Sequence, residues 1–218
     1  MTHNNLIMEE LQNIYLESVK DALFRLKACE DLLSSYHSNK SIIFIESAIL
    51  QLRKTLELIA FAAIAPNKYE YEKFRKKAES HNDYRKDFKA SSILKALRKV
   101  NKDFYPIPLT EAKLTETGDY HYDRKKENFL TVSKFITLYD KLGKYLHADN
   151  PWGSNKELEN FAQSMVGEIN LIKSLLSLYF TVIRTKDFTG VWVLSTSTEP
   201  VSVKIIVGLA DGNFTVTS

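Results

Sequence analysis

The segment from Ser41 to about Ala65 constrains this chain more than any other. Ile42, Ile45, Ile49, Leu52, Leu56, Ile59 and Ala63 recur at the three- and four-residue spacing of one helical stripe. Phe44, Ala48 and Ala60 widen that stripe until little surface is left for water. A helix apolar nearly all round belongs at the centre of a bundle. Pro66 closes it, because proline disfavours helical dihedrals at Ala65 and lacks an N–H. Glu46, Arg53 and Glu57 interrupt the apolar surface at spacings of seven and four, which puts them on one side. Buried charges need partners. The trio therefore predicts an internal Glu–Arg–Glu bridge or a narrow solvent-facing stripe, or else an Arg53 guanidinium lining an anion-binding cleft.

Helices flank this segment on both sides. Leu11, Tyr15, Val19, Ala22, Leu23, Leu26 and Leu33 mark a long helix from Leu6 to about Tyr36. A short charged helix is expected from Asn67 to about His81, with a connector at Asn82 to Lys86. Ser91 or Ser92 is placed to cap a further helix through Val100. The prolines of Asp103–Pro108 force an extended crossing segment, and Leu109 to Lys126 reads as a loop with one hairpin. Glu127 to about His147 and Asn155 to about Arg184 are the last two long helices by periodicity. Then the period changes. Val191–Leu194, Val201–Val207 and Phe214–Val216, with a turn at Asp211–Gly212, read as a three-stranded meander. With only 7 Gly and 5 Pro in 218 residues, few tight turns are available. The expected fold is mainly α, an antiparallel helical bundle over 1–186 with a small C-terminal β-meander over 187–218 leaning on it.

Composition narrows the setting. Cys29 is the sole cysteine, so no intramolecular disulfide and no cysteine-based zinc site is expected, which fits a reducing compartment. The first helix buries Cys29 as a packing residue in this reading. No basic stretch followed by an apolar run opens the chain, and no apolar run is long enough to span a membrane, so a cytoplasmic protein is expected. Net charge is only +3, but its distribution is uneven. Lys68 to Lys102 holds twelve Lys/Arg against five Asp/Glu, whereas Met1 to Glu57 holds six against eight. Lys95, Arg98, Lys99 and Lys102 share one side of the Ser91–Val100 helix. Such a face is either a solvated surface or a binding surface for RNA or another polyanion. Tyr69, Tyr71, Phe74, Tyr84 and Phe88 interleave with these cations, as rings that stack on bases or as anchors for short helices.

Few residues could carry chemistry. There is no glycine-rich phosphate loop, G-x-S-x-G, H-E-x-x-H or EF-hand pattern, and no cofactor or metal is called for. His121, within Asp119–Asp123, reads as a surface turn or an incomplete ligand set. The densest polar group is His147-Ala148-Asp149-Asn150-Pro151-Trp152-Gly153, where a helix stops and turns. In a structural reading, Asp149 or Asn150 closes an Asx turn, His147 caps the last carbonyls and Trp152 plugs the junction. In a chemical reading, His147 is a general acid/base near neutral pH.

A helical bundle with a His ending its penultimate long helix, followed by a polar-Pro turn, resembles the HEPN superfamily over roughly Leu6 to Arg184. The resemblance implies a prokaryotic toxin–antitoxin or phage-defence protein, many of which are metal-independent ribonucleases that build their site across a homodimer. It aligns His147 with the family's histidine. At the position of the family's arginine, within Asp140-Lys141-Leu142, this chain carries Lys141, a point charge and not a planar fork. The implied chemistry is attack of an RNA 2′-OH on the adjacent phosphate. His147 moves the proton, Arg53 or Lys141 balances charge, and Asn150, beside Asp149, orients His147 or substrate. The alternative is a non-catalytic helical module that binds RNA or a partner protein.

Overall fold

The computed structural model describes residues 3–77, 83–116, 118, 120–148, 152–153, 157–184 and 189–209. It is mainly helical with an antiparallel sheet toward the C-terminus. Helix α1 (His3–Asn39) and helix α2 (Ile42–Ala62) form a long hairpin. Thr55 Oγ1 donates to Ala22 O and Arg25 Nη1 to Gln51 Oε1 along its length. Lys40 turns the chain with φ 59°, and its N–H closes α1 on Tyr36 O at 2.7 Å. A 3-10 turn (Ala65–Asn67) carries α2 over Pro66 into α3 (Lys68–Lys76), and α4 (Ala90–Val100) follows.

α2 is the bundle's centre, packed against α1, α4, α5 (Val132–Tyr145) and α6 (Leu158–Leu176). Ile45, Ala48, Ile49, Leu52, Leu56 and Ala60 are wholly buried. One side stays open, where Ile43, Glu46, Leu50 and Lys54 face solvent. α4 begins two or three residues earlier than a Ser91 or Ser92 cap would place it, with Lys89 at the cap position and no side-chain cap. Ser91 is buried inside the first turn, so neither serine caps this helix. α5 starts at Val132 instead of Glu127. Thr131 supplies the cap through Lys134 N–H, and Leu130 N–H is held by Leu171 O on α6.

The largest departure from the periodicity lies after Leu176. The expected helix to Arg184 ends there, and Leu178–Arg184 is strand β4. Leu175, Leu176, Tyr179 and Ile183 satisfy a helical period, but Leu178, Phe180 and Val182 are apolar as well, which suits a strand buried on both faces. Thr196 decides the break: its N–H donates to Ser177 O and its hydroxyl to Leu176 O, both at 2.9 Å, and so ends α6 from the sheet side. β4 pairs with β5 (Thr189–Thr198), and β5 with β6 (Val201–Leu209). Ile107–Pro108 adds a short edge strand, β1, giving the order β1-β4-β5-β6. A proline suits an edge because its missing N–H breaks no ladder. The meander therefore uses Leu178–Arg184 as its first strand. Phe214–Val216 and the Asp211–Gly212 turn lie outside the described residues, and the 186/187 boundary falls between two paired strands.

The sheet's inner face joins the helical core. Tyr179, Trp192 and Leu194 are buried there, with Val201, Val203 and Ile205 packed behind them. Trp192 meets Tyr15 edge-on at 5.4 Å, and Tyr15 and Tyr179 share a hydroxyl bond of 3.2 Å. On the outer face, Phe180 and Val182 are covered by Leu109 and Tyr122 of the 109–126 segment. That segment holds the expected hairpin, β2 (Lys113–Leu114) against β3 (Tyr120–His121). Cys29 is fully buried, and burial pushes its thiol up to about 12, consistent with packing.

Candidate functional site

The most organised polar group lies between α2 and α5. Arg53 sends Nη2 to Tyr139 Oη at 2.6 Å and Nη1 to Tyr139 O at 3.1 Å. Its Nε lies 3.3 Å from Glu57 Oε1, one helical turn along α2. Tyr139 Oη in turn donates to Glu57 Oε1 at 2.9 Å. The guanidinium also sits 3.9 Å from the Tyr139 ring centroid, within cation–π range. Burial first, then the hydrogen bond to Glu57, pushes the Tyr139 hydroxyl up to about 12, while the Arg53 charge and, less, a backbone hydrogen bond at Ala90, the first residue of α4, oppose the rise. The hydroxyl is therefore a neutral donor toward Glu57 at physiological pH.

Gly143 makes this arrangement sterically feasible. A Cβ at that position would come within 2.7 Å of Arg53 Nη1. The guanidinium occupies the space that any other residue of α5 would fill. Each terminal nitrogen donates one hydrogen bond to Tyr139, and Nε forms an ion pair with Glu57. The internal bridge predicted from the spacing is present between Arg53 and Glu57, whereas Glu46 is exposed on α2 and outside it.

The other sequence-derived candidates are distributed around α5. Lys141 points away from this group and lies 4.5 Å from the Phe161 ring of α6, so it and Arg53 serve different sides of the helix. Tyr145 stacks on the same Phe161 ring at 4.0 Å. α5 stops at Tyr145, and His147 follows in an exposed bend, one turn beyond Gly143 in sequence. Asp149, Asn150 and Pro151 lie outside the described residues. Trp152 is 92% exposed, so it does not plug the junction. His121 pairs with Asp123 at 3.3 Å, and Lys113 pairs with the same carboxylate at 2.7 Å. These contacts tie β3 and β2 to the segment that follows, while Asp119 lies outside the described residues.

The basic face is a second candidate. Ile93, Leu94 and Leu97 bury one side of α4, Lys95, Arg98 and Lys99 are exposed on the other side, and Lys102 is exposed just past the helix end. Phe88 to Lys102 contains five cations and no acid. None of the four cations is held in an ion pair among the described residues. Lys99 reaches Phe74 of α3, with its ammonium 5.9 Å from the ring. By contrast, Arg75 on α3 is consumed internally by Asp87 at 2.8 Å.

Sequence reading missed Tyr139 and Gly143 as partners of Arg53. The available signal was a glycine inside a helical run, which costs about 1 kcal/mol unless close packing requires it. Among the described residues, no helix is long and apolar enough to cross a membrane. Comparison with family models, with curated proteins and with solved structures finds no match.

Proposed function

We propose that this protein is a helical, HEPN-like RNA-binding module whose contact surface is the outer side of α4. The observation that carries the reading is the set of exposed cations at Lys95, Arg98, Lys99 and Lys102, none of them in an ion pair among the described residues. A solvated surface commonly interleaves acids to balance its charge; this helix has none. Reversing Lys95, Arg98 and Lys99 to Glu is expected to weaken RNA binding at least about tenfold at low salt. Fluorescence anisotropy with a labelled RNA measures it. Unchanged affinity reduces the face to a solvated surface.

A second reading adds catalysis at the end of α5. It is favoured by Arg53 lying against Gly143, one turn in sequence before the exposed His147. Here His147 takes the proton of a 2′-OH, the oxygen attacks the adjacent phosphorus, and the departing 5′-oxygen regains a proton. The Arg53 guanidinium supplies positive charge for the phosphate oxygens. Lys141 and Asn150 are auxiliary to that step, and a homodimer, as in the HEPN resemblance, completes the site. RNA cleavage in EDTA by the wild type, absent in His147→Ala, is the expected result. Equal cleavage by the two proteins removes His147 from the mechanism. Cleavage by neither leaves binding as the function, with a partner protein of a defence locus as the context.

A further inference from the structure

We infer that the α4 face grips the phosphate backbone of a nucleic-acid duplex and does not read the bases of a single strand. This deepens the RNA-binding reading and rests on it. The first argument is the shape of the charge. Lys95, Arg98 and Lys99 lie at i, i+3 and i+4 of α4, so they form one straight row about 6 Å long, and Lys102 follows two residues past the helix end, after the extended Asn101. The row cannot bend, because Ile93, Leu94 and Leu97 fix α4 against the core. A duplex presents a charge about every 1.7 Å of its axis, so a rigid row of that length meets several phosphates at once. A flexible strand gains less from such a row, since it must be ordered to follow it.

The second argument is the state of the rings. Single-strand binders place bases on aromatic faces within a basic groove. The rings interleaved with the basic segment are mostly spent elsewhere. Tyr71 is 1% exposed and donates to Asp87. Tyr84 is half-buried, edge-on to Tyr71 at 6.5 Å. Phe74 carries the Lys99 ammonium over its face. Only Tyr69 and Phe88 of this set are open, and each precedes the row: Tyr69 is on α3, and Phe88 lies outside α4. Three clefts, of about 300, 490 and 840 Å³, are lined by other described residues and by none of the four cations.

The third argument is the absence of a reader. Lysine and arginine in a row contact phosphates without regard to sequence. Duplex RNA is recognised largely by its shape and backbone. Contacts made only to phosphate do not distinguish a ribose from a deoxyribose, so RNA and DNA duplexes of one sequence are expected to bind alike.

The test is anisotropy on the full chain with three labelled probes of equal length: single-stranded RNA, its RNA duplex and the matching DNA duplex. Both duplexes are expected to bind at least about tenfold tighter than the single strand, with log K falling by ~3 to 4 per decade of salt, as four phosphate contacts require. Lys95→Gln, Arg98→Gln and Lys99→Gln together keep helix propensity, remove charge and should flatten that slope to about 1. Phe88→Ala with Tyr69→Ala should leave duplex affinity unchanged. A single strand that binds as tightly as the duplexes, or binding lost with the two rings, overturns the inference and leaves RNA binding standing. Binding of none of the probes at low salt overturns the RNA reading itself.

Discussion

Replacing Trp192 by alanine is expected to cost the fold about 3–5 kcal/mol. The ring is 1% exposed and stands on the inner face of β5, between Thr181 of β4 and Val207 of β6. Its edge contact with Tyr15 on α1 is one of the contacts that join the sheet to the helical hairpin. Removing it leaves a cavity that Tyr15 cannot fill, because its hydroxyl is tied to Tyr179. Urea unfolding followed by far-UV circular dichroism reads the loss. Ile206→Ala is the control on the same sheet; it is 65% exposed on the opposite face and should shift stability by under about 0.5 kcal/mol. A loss at Trp192 below about 1 kcal/mol would show that the sheet holds to the bundle without this contact.

Arg53→Ala is expected to cost about 2 kcal/mol. The variant loses two hydrogen bonds to Tyr139 and the stacking on its ring, and leaves Glu57 with the tyrosine hydroxyl alone. Side-chain exposure of 23% for Arg53 and 26% for Glu57 keeps the loss below that of a fully buried pair. Gly143 supplies the second half of this prediction. In the Arg53→Ala background, Gly143→Ala should regain about 1 kcal/mol, the helix-propensity difference between the two residues. In the wild type the same change gains nothing, because the new methyl contests the space of Nη1. The double-mutant cycle therefore has a coupling of about 1 kcal/mol. Additive effects would mean that the guanidinium does not need the glycine.

The same residues explain what could be read in advance. The mainly-α class and the central position of α2 followed from a stripe so wide that only other helices could cover it. Arg53 and Glu57 were legible as a pair because four residues on an apolar helix bring charges together. The exposure of Lys95, Arg98, Lys99 and Lys102 followed from the apolar side of α4 opposite them. Tyr139 and Gly143 were not legible as partners of Arg53, since nothing in their local sequence names a residue more than eighty positions away.

What the sequence determined by itself was periodicity, and periodicity chooses between helix and strand wherever one face is apolar and the other polar. It could not choose at Leu178–Arg184, where both faces are apolar and both periods fit. There the neighbours decided. β5 offered a ladder of backbone partners, and Thr196 took the last carbonyls of α6. Tertiary structure likewise decided which cations were spent and which were left. Arg53, Arg75 and Lys141 were drawn onto a carboxylate or a ring by packing, while the basic row met no carboxylate among the described residues. Charge is written in the sequence, but its neutralisation depends on what the fold brings within a few ångströms.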